Sequence, residues 1–209
     1  MEIKGKAIVL TNGVYNTKSA KTAHGLVRGS SKFDILGIVD NKFYDNDAGE
    51  LLDGKYRNIP IYSLYGDNKK PSYELMKDLD VMLFDIQDVG ARFYTYTWTM
   101  YRAMKSAEEC GLDFMVLDRP NPIGSRVAGN VSETNFLSFV GQHPIPMQHG
   151  MTIGELAQLF NSECNLDIDL KVISMHTNEN RKFFFEQADW LWVPPSPNIP
   201  NRRTTQLYV

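Results

Sequence analysis

Residues 84–96 read FDIQDVGARFYTY, with two carboxylates, an amide, an arginine and two tyrosines where an apolar run gives way to a helical pattern. Two other apolar runs end alike, so GIVD, MLFD and MVLD place Asp40, Asp85 and Asp118 at three successive ends. If those runs are parallel strands, the three acids share one rim of a sheet, the rim where open α/β sheets bind ligands. Gln87, Asp88, Arg92, Tyr94 and Tyr96 follow Asp85, and Arg119, Pro120, Asn121 and Pro122 follow Asp118. Carboxylates and amides exchange hydrogen bonds with hydroxyls, arginine clamps a carboxylate with two parallel bonds, and aromatic rings cover a sugar face. This grouping fits acid chemistry on, or recognition of, a polyhydroxylated ligand. Asp40, Asp85 and Asp88 are the candidate acids. The same residues fit a second reading, since aspartate caps helices and turns well and Arg92 or Arg119 can bridge to Asp85 or Asp88 merely to tie loops together.

Two further segments bear on the site. His149 lies in PIPMQHGMT just ahead of a helix start, and Asn198 lies in WLWVPPSPNIPN, which either covers a cleft or packs as a tail on the body. Thr152 and Glu155 stand in capping-box spacing, so Glu155 is expected to cap rather than catalyse. His24, His143, His149 and His176 lack zinc-like spacing, and Cys110 and Cys164 do not join them along the sequence. No GxGxxG or GxxxxGK[ST] occurs. Neither a metal nor a nucleotide cofactor is expected.

The elements that must hold these residues alternate. Strands are expected at 6–11, 33–40, 80–85, 113–118 and 169–175, and helices over 19–29, 71–79, 95–110 and 152–163. Met100, Ala103, Met104 and Ala107 share one face of the long helix, which Gly111 closes. This order predicts an α/β fold, a Rossmann-like open and mostly parallel sheet with helices on both faces. Segment 119–151 and the proline-rich tail 193–201 are expected to be irregular.

The 209 residues carry a net charge of -3, with 43% hydrophobic and 22% charged residues. With a pI near 5.8, no basic face for nucleic acid or a membrane surface is expected. No segment nears the roughly 18 apolar residues of a membrane span. The opening MEIKGKAIVLTNG is too short and too soon polar for a signal peptide, which predicts a cytoplasmic protein with two thiols rather than a disulfide. Nothing in the sequence sets the oligomeric state.

DVMLFDIQDVGARFYTYTWTM, VLDRPNPIG, SFVGQHPIPMQHGMTIGELAQLFN and WVPPSPNIPN, in this order, resemble the peptidoglycan exo-β-N-acetylmuramidase family of NamZ-like glycoside hydrolases. The resemblance runs from about residue 59 to residue 209. It implies a Rossmann-like catalytic domain and removal of N-acetylmuramic acid from the non-reducing end of cell-wall fragments, by proteins that can be exported. The lactyl carboxylate of that sugar would suit Arg92 or Arg119. Family members carry glutamates in PEHG and VEGP motifs; this chain has Asp40 as the nearest acid to the first and Ala128 in place of the second. Asp40, Asp85, Asp88 or Glu133 would then have to supply the chemistry. Residues 1–62 resemble the N-terminal Rossmann-like segment of the D-glutamate N-acetyltransferase-like family.

The expectation is one domain over residues 1–209, with 1–62 and 63–209 of different resemblance and the family's C-terminal domain absent. It is a glycoside hydrolase-like protein that acts on or binds N-acetylmuramic acid through Gln87, Arg92, Tyr94, Tyr96, Arg119, Asn121, His149 and Asn198. The alternative is an inactive sugar-binding or engineered chimeric protein, since both family glutamates are missing.

Overall fold

The computed structural model describes residues 5–17, 20–29, 32–64, 71–174, 192, 194–196 and 198–209. Strands β1 (Gly5–Leu10), β2 (Phe33–Val39), β3 (Ile61–Tyr62), β4 (Val81–Phe84), β5 (Asp113–Leu117) and β8 (Leu170–Ile173) form one sheet. Its order is β3-β2-β1-β4-β5-β8, and every neighbouring pair is parallel. Between β5 and β8 the chain makes an antiparallel pair, β6 (Ala128–Val131) with β7 (Pro146–Gln148). The helices are α1 (Lys21–Arg28), α2 (Ala48–Asp53), α3 (Tyr73–Met76), α4 (Thr95–Cys110), α5 (Ile153–Glu163) and α6 (Arg202–Tyr208).

The period of two along each strand sends alternate side chains to opposite faces. Ile8, Leu10, Met82, Phe84, Phe114 and Val116 join one core with Trp98, Met104 and Phe160 from α4 and α5. Ala7, Val9, Ile35, Val81, Leu83 and Met115 join the other with Ala23 and Val27 of α1. Both faces are thus covered, which explains why β4 reads as unbroken VMLF rather than as an alternation. Trp98 and Phe160 are fully buried with ring centroids 5.6 Å apart, and each such side chain contributes about 2–3 kcal/mol through burial. The Trp98 indole N–H is not orphaned; it donates to the Arg92 carbonyl at 2.7 Å.

Helix α4 forms where its stripe predicted, burying Met100, Ala103, Met104 and Ala107, and ends on Gly111 in the left-handed conformation. Helix α5 opens with the complete capping box of Thr152 and Glu155. Three differences have physical causes. The helix expected over 71–79 is only Tyr73–Met76, capped by Ser72. Strand β3 is two residues long, too short to leave a pattern. Helix α2 is held by Asp47, whose buried carboxylate accepts the N–H groups of Gly49, Glu50, Arg57 and Ile59. Burial pushes Asp47 up, but those four backbone donors outweigh it and leave its pKa lowered.

Among the described residues no helix is long and apolar enough to cross a membrane.

Candidate functional site

From β1 the sheet grows one way through β2 to β3, and from β4 it grows the other way through β5 to β8. The crevice beyond the carboxyl ends of β1 and β4 is therefore the topological switch point. A cleft of about 250 Å³ opens there. Leu10, Val39 and Ile86 line it with apolar surface, and Phe139 reaches it from the segment between β6 and β7. Its polar groups are Thr11 and Asn12 after β1, Asn41 after β2, and Thr95, Tyr96, Thr99 and Arg102 from α4. Positions 95, 99 and 102 fall on one helix face, so the start of α4 presents two hydroxyls and a guanidinium together.

These groups are partly pre-ordered. The Asn41 side-chain amide donates to Asn12 Oδ1 at 3.1 Å, and Asn41 Oδ1 accepts the Leu64 N–H at 3.2 Å. The Asn12 amide donates to the Tyr96 hydroxyl, which itself donates to the Pro195 carbonyl at 2.6 Å. Arg102 donates through Nε to Gln142 at 3.3 Å and lies 4.6 Å from the Phe139 ring centroid. Its two terminal nitrogens hold no partner among the described residues, which leaves the fork of the guanidinium available to a carboxylate. A smaller hollow of about 20 Å³ adjoins the cleft, lined by Asn12, Asp85, Gln87, Tyr96, Arg119 and Pro195 among others.

The residues singled out in the sequence divide into those at this rim and those that build it. Asp85, Gln87, Tyr96 and Arg119 line the hollow. Asp85 is ion-paired with Arg119, which donates to its Oδ1 through Nε at 2.9 Å and also through Nη2. Gln87 is turned to the Asp88 and Pro120 carbonyls, at 2.7 and 3.0 Å.

Asp40 is fully buried and accepts from the Thr11 hydroxyl at 2.9 Å and from the N–H groups of Tyr15 and Lys42. Asp88 accepts from Gly90 N–H at 2.7 Å, the Thr97 hydroxyl at 3.0 Å and His149 Nε2 at 3.1 Å. His149 Nδ1 accepts the Met151 N–H, which fixes the ring as the Nε2–H tautomer. Asp118 accepts from Gly154 N–H, Arg119 N–H and the Thr152 hydroxyl at the start of α5; burial raises its pKa against the pull of those three donors.

Arg92 donates to the carbonyls of Asn130 and Ile145 and so fastens β6 and the approach to β7 onto the loop after β4. Tyr94 is buried edge-on to Tyr96; burial, then Tyr96 and Asp88, push its hydroxyl far up, so it stays protonated. Asn121 bridges the Ile123 N–H and the Met151 carbonyl. Gly90, at φ +87°, packs so closely on Asn121 and Ile123 that a Cβ there would collide with both. Glu133 and Asn198 are exposed and line neither cavity. His176 and Trp190 lie outside the described residues. No group of three or more histidine, cysteine or acidic side chains among the described residues could hold a metal ion.

Asn12, Asn41, Thr95, Thr99, Arg102 and Phe139 escaped sequence reasoning. Asn12 and Asn41 each sit just past a strand end, and the 95–99–102 spacing was present in plain view.

A family model described as exo-β-N-acetylmuramidase NamZ, N-terminal, matches residues 39–203. The peptidoglycan β-N-acetylmuramidase NamZ of Bacillus subtilis (strain 168) is 42% identical over 216 aligned residues, covering 99% of this chain and 52% of that protein. That coverage takes in the first segment too. Crystal structures of two DUF1343 family proteins from Bacteroides fragilis NCTC 9343 superpose with TM-scores of 0.78 and 0.76, at 34% and 35% identity. They cover 98% and 99% of this chain and 53% and 55% of their own. The chain thus spans about half the length of these relatives.

Proposed function

Because this chain belongs to the exo-β-N-acetylmuramidase NamZ family, we propose that it binds the N-acetylmuramic acid at the non-reducing end of peptidoglycan fragments, in the cleft between β1 and β4. The observation that carries this reading is the lining of that cleft. Hydroxyl, amide and aromatic groups converge on a space of about 250 Å³, and Arg102 adds a guanidinium fork whose two terminal nitrogens hold no partner among the described residues. Ligand pockets generally start at about 300 Å³, so the space suits one substituted sugar ring rather than a glycan chain. Tyr96 and Phe139 offer ring surface, Asn12 and Asn41 offer amides to hydroxyls, and Arg102 faces the position for a lactyl carboxylate. Arg92 and Arg119 are committed elsewhere, to carbonyls and to Asp85.

Glycoside hydrolysis ordinarily needs two carboxyl groups, one to protonate the leaving oxygen and one to act as nucleophile or base. In our reading Asp85 supplies one of them, released from Arg119 when substrate enters. Asp40 and Asp88 instead hold the loops. A second reading is sugar binding without turnover. It is favoured by one observation: Asp85 is the only carboxylate among the described lining residues of either cavity.

A chromogenic nitrophenyl β-glycoside of N-acetylmuramic acid separates the two. Release of nitrophenol that falls at least about a hundredfold in Asp85→Asn supports hydrolysis through Asp85. Binding without release assigns the chain to the second reading. Neither binding nor release would overturn both.

A further inference from the structure

Away from the cleft, at the end of α5, lies a second group of chemically active side chains. Cys164 is the C-cap residue of α5, and its partly buried Sγ lies 3.7 Å from Nδ1 of His143. On the other side of the ring, His143 Nε2 lies 2.7 Å from Glu163 Oε2. A carboxylate only accepts, so the Nε2 side carries the proton and Nδ1 turns its lone pair toward the thiol. The order carboxylate, imidazole, thiol matches the relay that activates nucleophilic cysteines. Sequence spacing hides it, because His143 comes from the segment between β6 and β7 while Glu163 and Cys164 end α5.

The surroundings contain both signs. Tyr101 of α4 stands beside the same sulfur; burial first, then its interaction with Cys164 and the charges of Cys164 and Glu108, push its hydroxyl up to about 12. It therefore stays protonated and can donate to a thiolate. Lys105 lies 5.4 Å from the Tyr101 ring centroid, adding a cation nearby. Glu108, Glu163 and the negative end of α5 act in the opposite sense. Phe160 packs edge-on to His143, 5.8 Å between centroids, and holds the imidazole plane in place. His143 keeps 15% of its side chain exposed and Glu163 54%, so a small reagent can approach.

We propose that Cys164, with His143 as its base and Glu163 orienting that base, is a nucleophilic thiol and a site of covalent modification by low-molecular-weight disulfides. In the step, the Sγ proton passes to His143 Nδ1 and the sulfur electron pair forms a bond to one sulfur of the disulfide. The S–S bond breaks, the second sulfur leaves as thiolate, and the imidazolium returns its proton to water. The incoming disulfide is the oxidant, and the product is a mixed disulfide on Cys164. Cys110, the other cysteine of the sequence, at the end of α4 and likewise half-buried, serves as the internal comparison.

The test is to treat the folded chain with an aromatic disulfide that releases a coloured thiolate, and to assign the reacting cysteine by peptide mass mapping. Cys164 should react about tenfold faster than Cys110 at neutral pH, and His143→Gln should remove that advantage. Glu163→Gln, at a position more than half exposed, should lower the rate less and shift its pH profile, which a purely structural change would not do. Should His143→Gln fail to fold by circular dichroism, the Glu163→Gln profile decides. Equal rates at the two cysteines, or a Cys164 rate and pH profile indifferent to these substitutions, would overturn the proposal.

Discussion

Asp88→Ala is expected to cost about 3 kcal/mol of folding stability, because it strands three buried donors at once. The Gly90 N–H, the Thr97 hydroxyl and the His149 Nε2–H all end on this carboxylate, and His149 and Asp88 are 1% and 4% exposed. Water cannot reach these groups to replace the lost acceptor. Asp88→Asn should cost only about 1 kcal/mol. Its carbonyl oxygen can still accept from Gly90 and His149 while its NH₂ donates to Thr97, whose hydroxyl turns to accept. The pair joins the loop after β4 to the segment after β7, so the alanine variant should also loosen the loop that carries Ile86 and leads into Tyr96. Urea unfolding of the two variants beside the parent checks this. A cost below about 1 kcal/mol for the alanine variant would show that the buried pair does not hold the loops.

Arg102→Met should weaken binding of N-acetylmuramic acid by roughly thirtyfold and leave binding of N-acetylglucosamine nearly unchanged. The two sugars differ in the lactyl ether, and a charge-assisted bond to a carboxylate contributes about 2 kcal/mol. Methionine keeps an unbranched stem against Phe139, so the loss reports the charged fork rather than a collapsed roof. Arg102→Lys should fall between, since a lysine provides a point charge without the two parallel donors. Calorimetric titration of both sugars into the three proteins measures the difference. Equal losses for both sugars would assign Arg102 to packing and move carboxylate recognition elsewhere.

The frame of the molecule was legible wherever a segment was long or strongly patterned. Continuous apolar runs gave β1, β2, β4 and β5, and the 3.6-residue stripe gave α4 nearly to the residue. Short elements were not legible. Two residues of β3 carry no period, and α2 depends on Asp47 gathering four N–H groups, two of them from residues 57 and 59 beyond the helix. The β6–β7 pair sits inside the stretch expected to be irregular.

The place of the cleft was legible, and so were Asp85, Gln87, Tyr96 and Arg119 at its edge, but most of its lining was not. Three aspartates at strand ends pointed to the rim where the cleft opens, yet two of them, Asp40 and Asp118, turn their oxygens to backbone N–H groups and hydroxyls. A strand-end acid satisfies the turn that follows it more readily than it faces open solvent, and the sequence does not distinguish these outcomes. The cleft is instead lined by residues with weak individual signals: Asn12, Asn41 and the Thr95–Thr99–Arg102 face of α4.

The most direct test of the account is an amide NMR titration of the nitrogen-labelled chain with the methyl β-glycoside of N-acetylmuramic acid. Saturable shifts are expected to concentrate at Asn12, Asn41, Tyr96, Thr99 and Arg102 and to be lost in Arg102→Met at the same ligand concentration. Shifts that map to another face of the sheet, or none at saturating sugar, would contradict it.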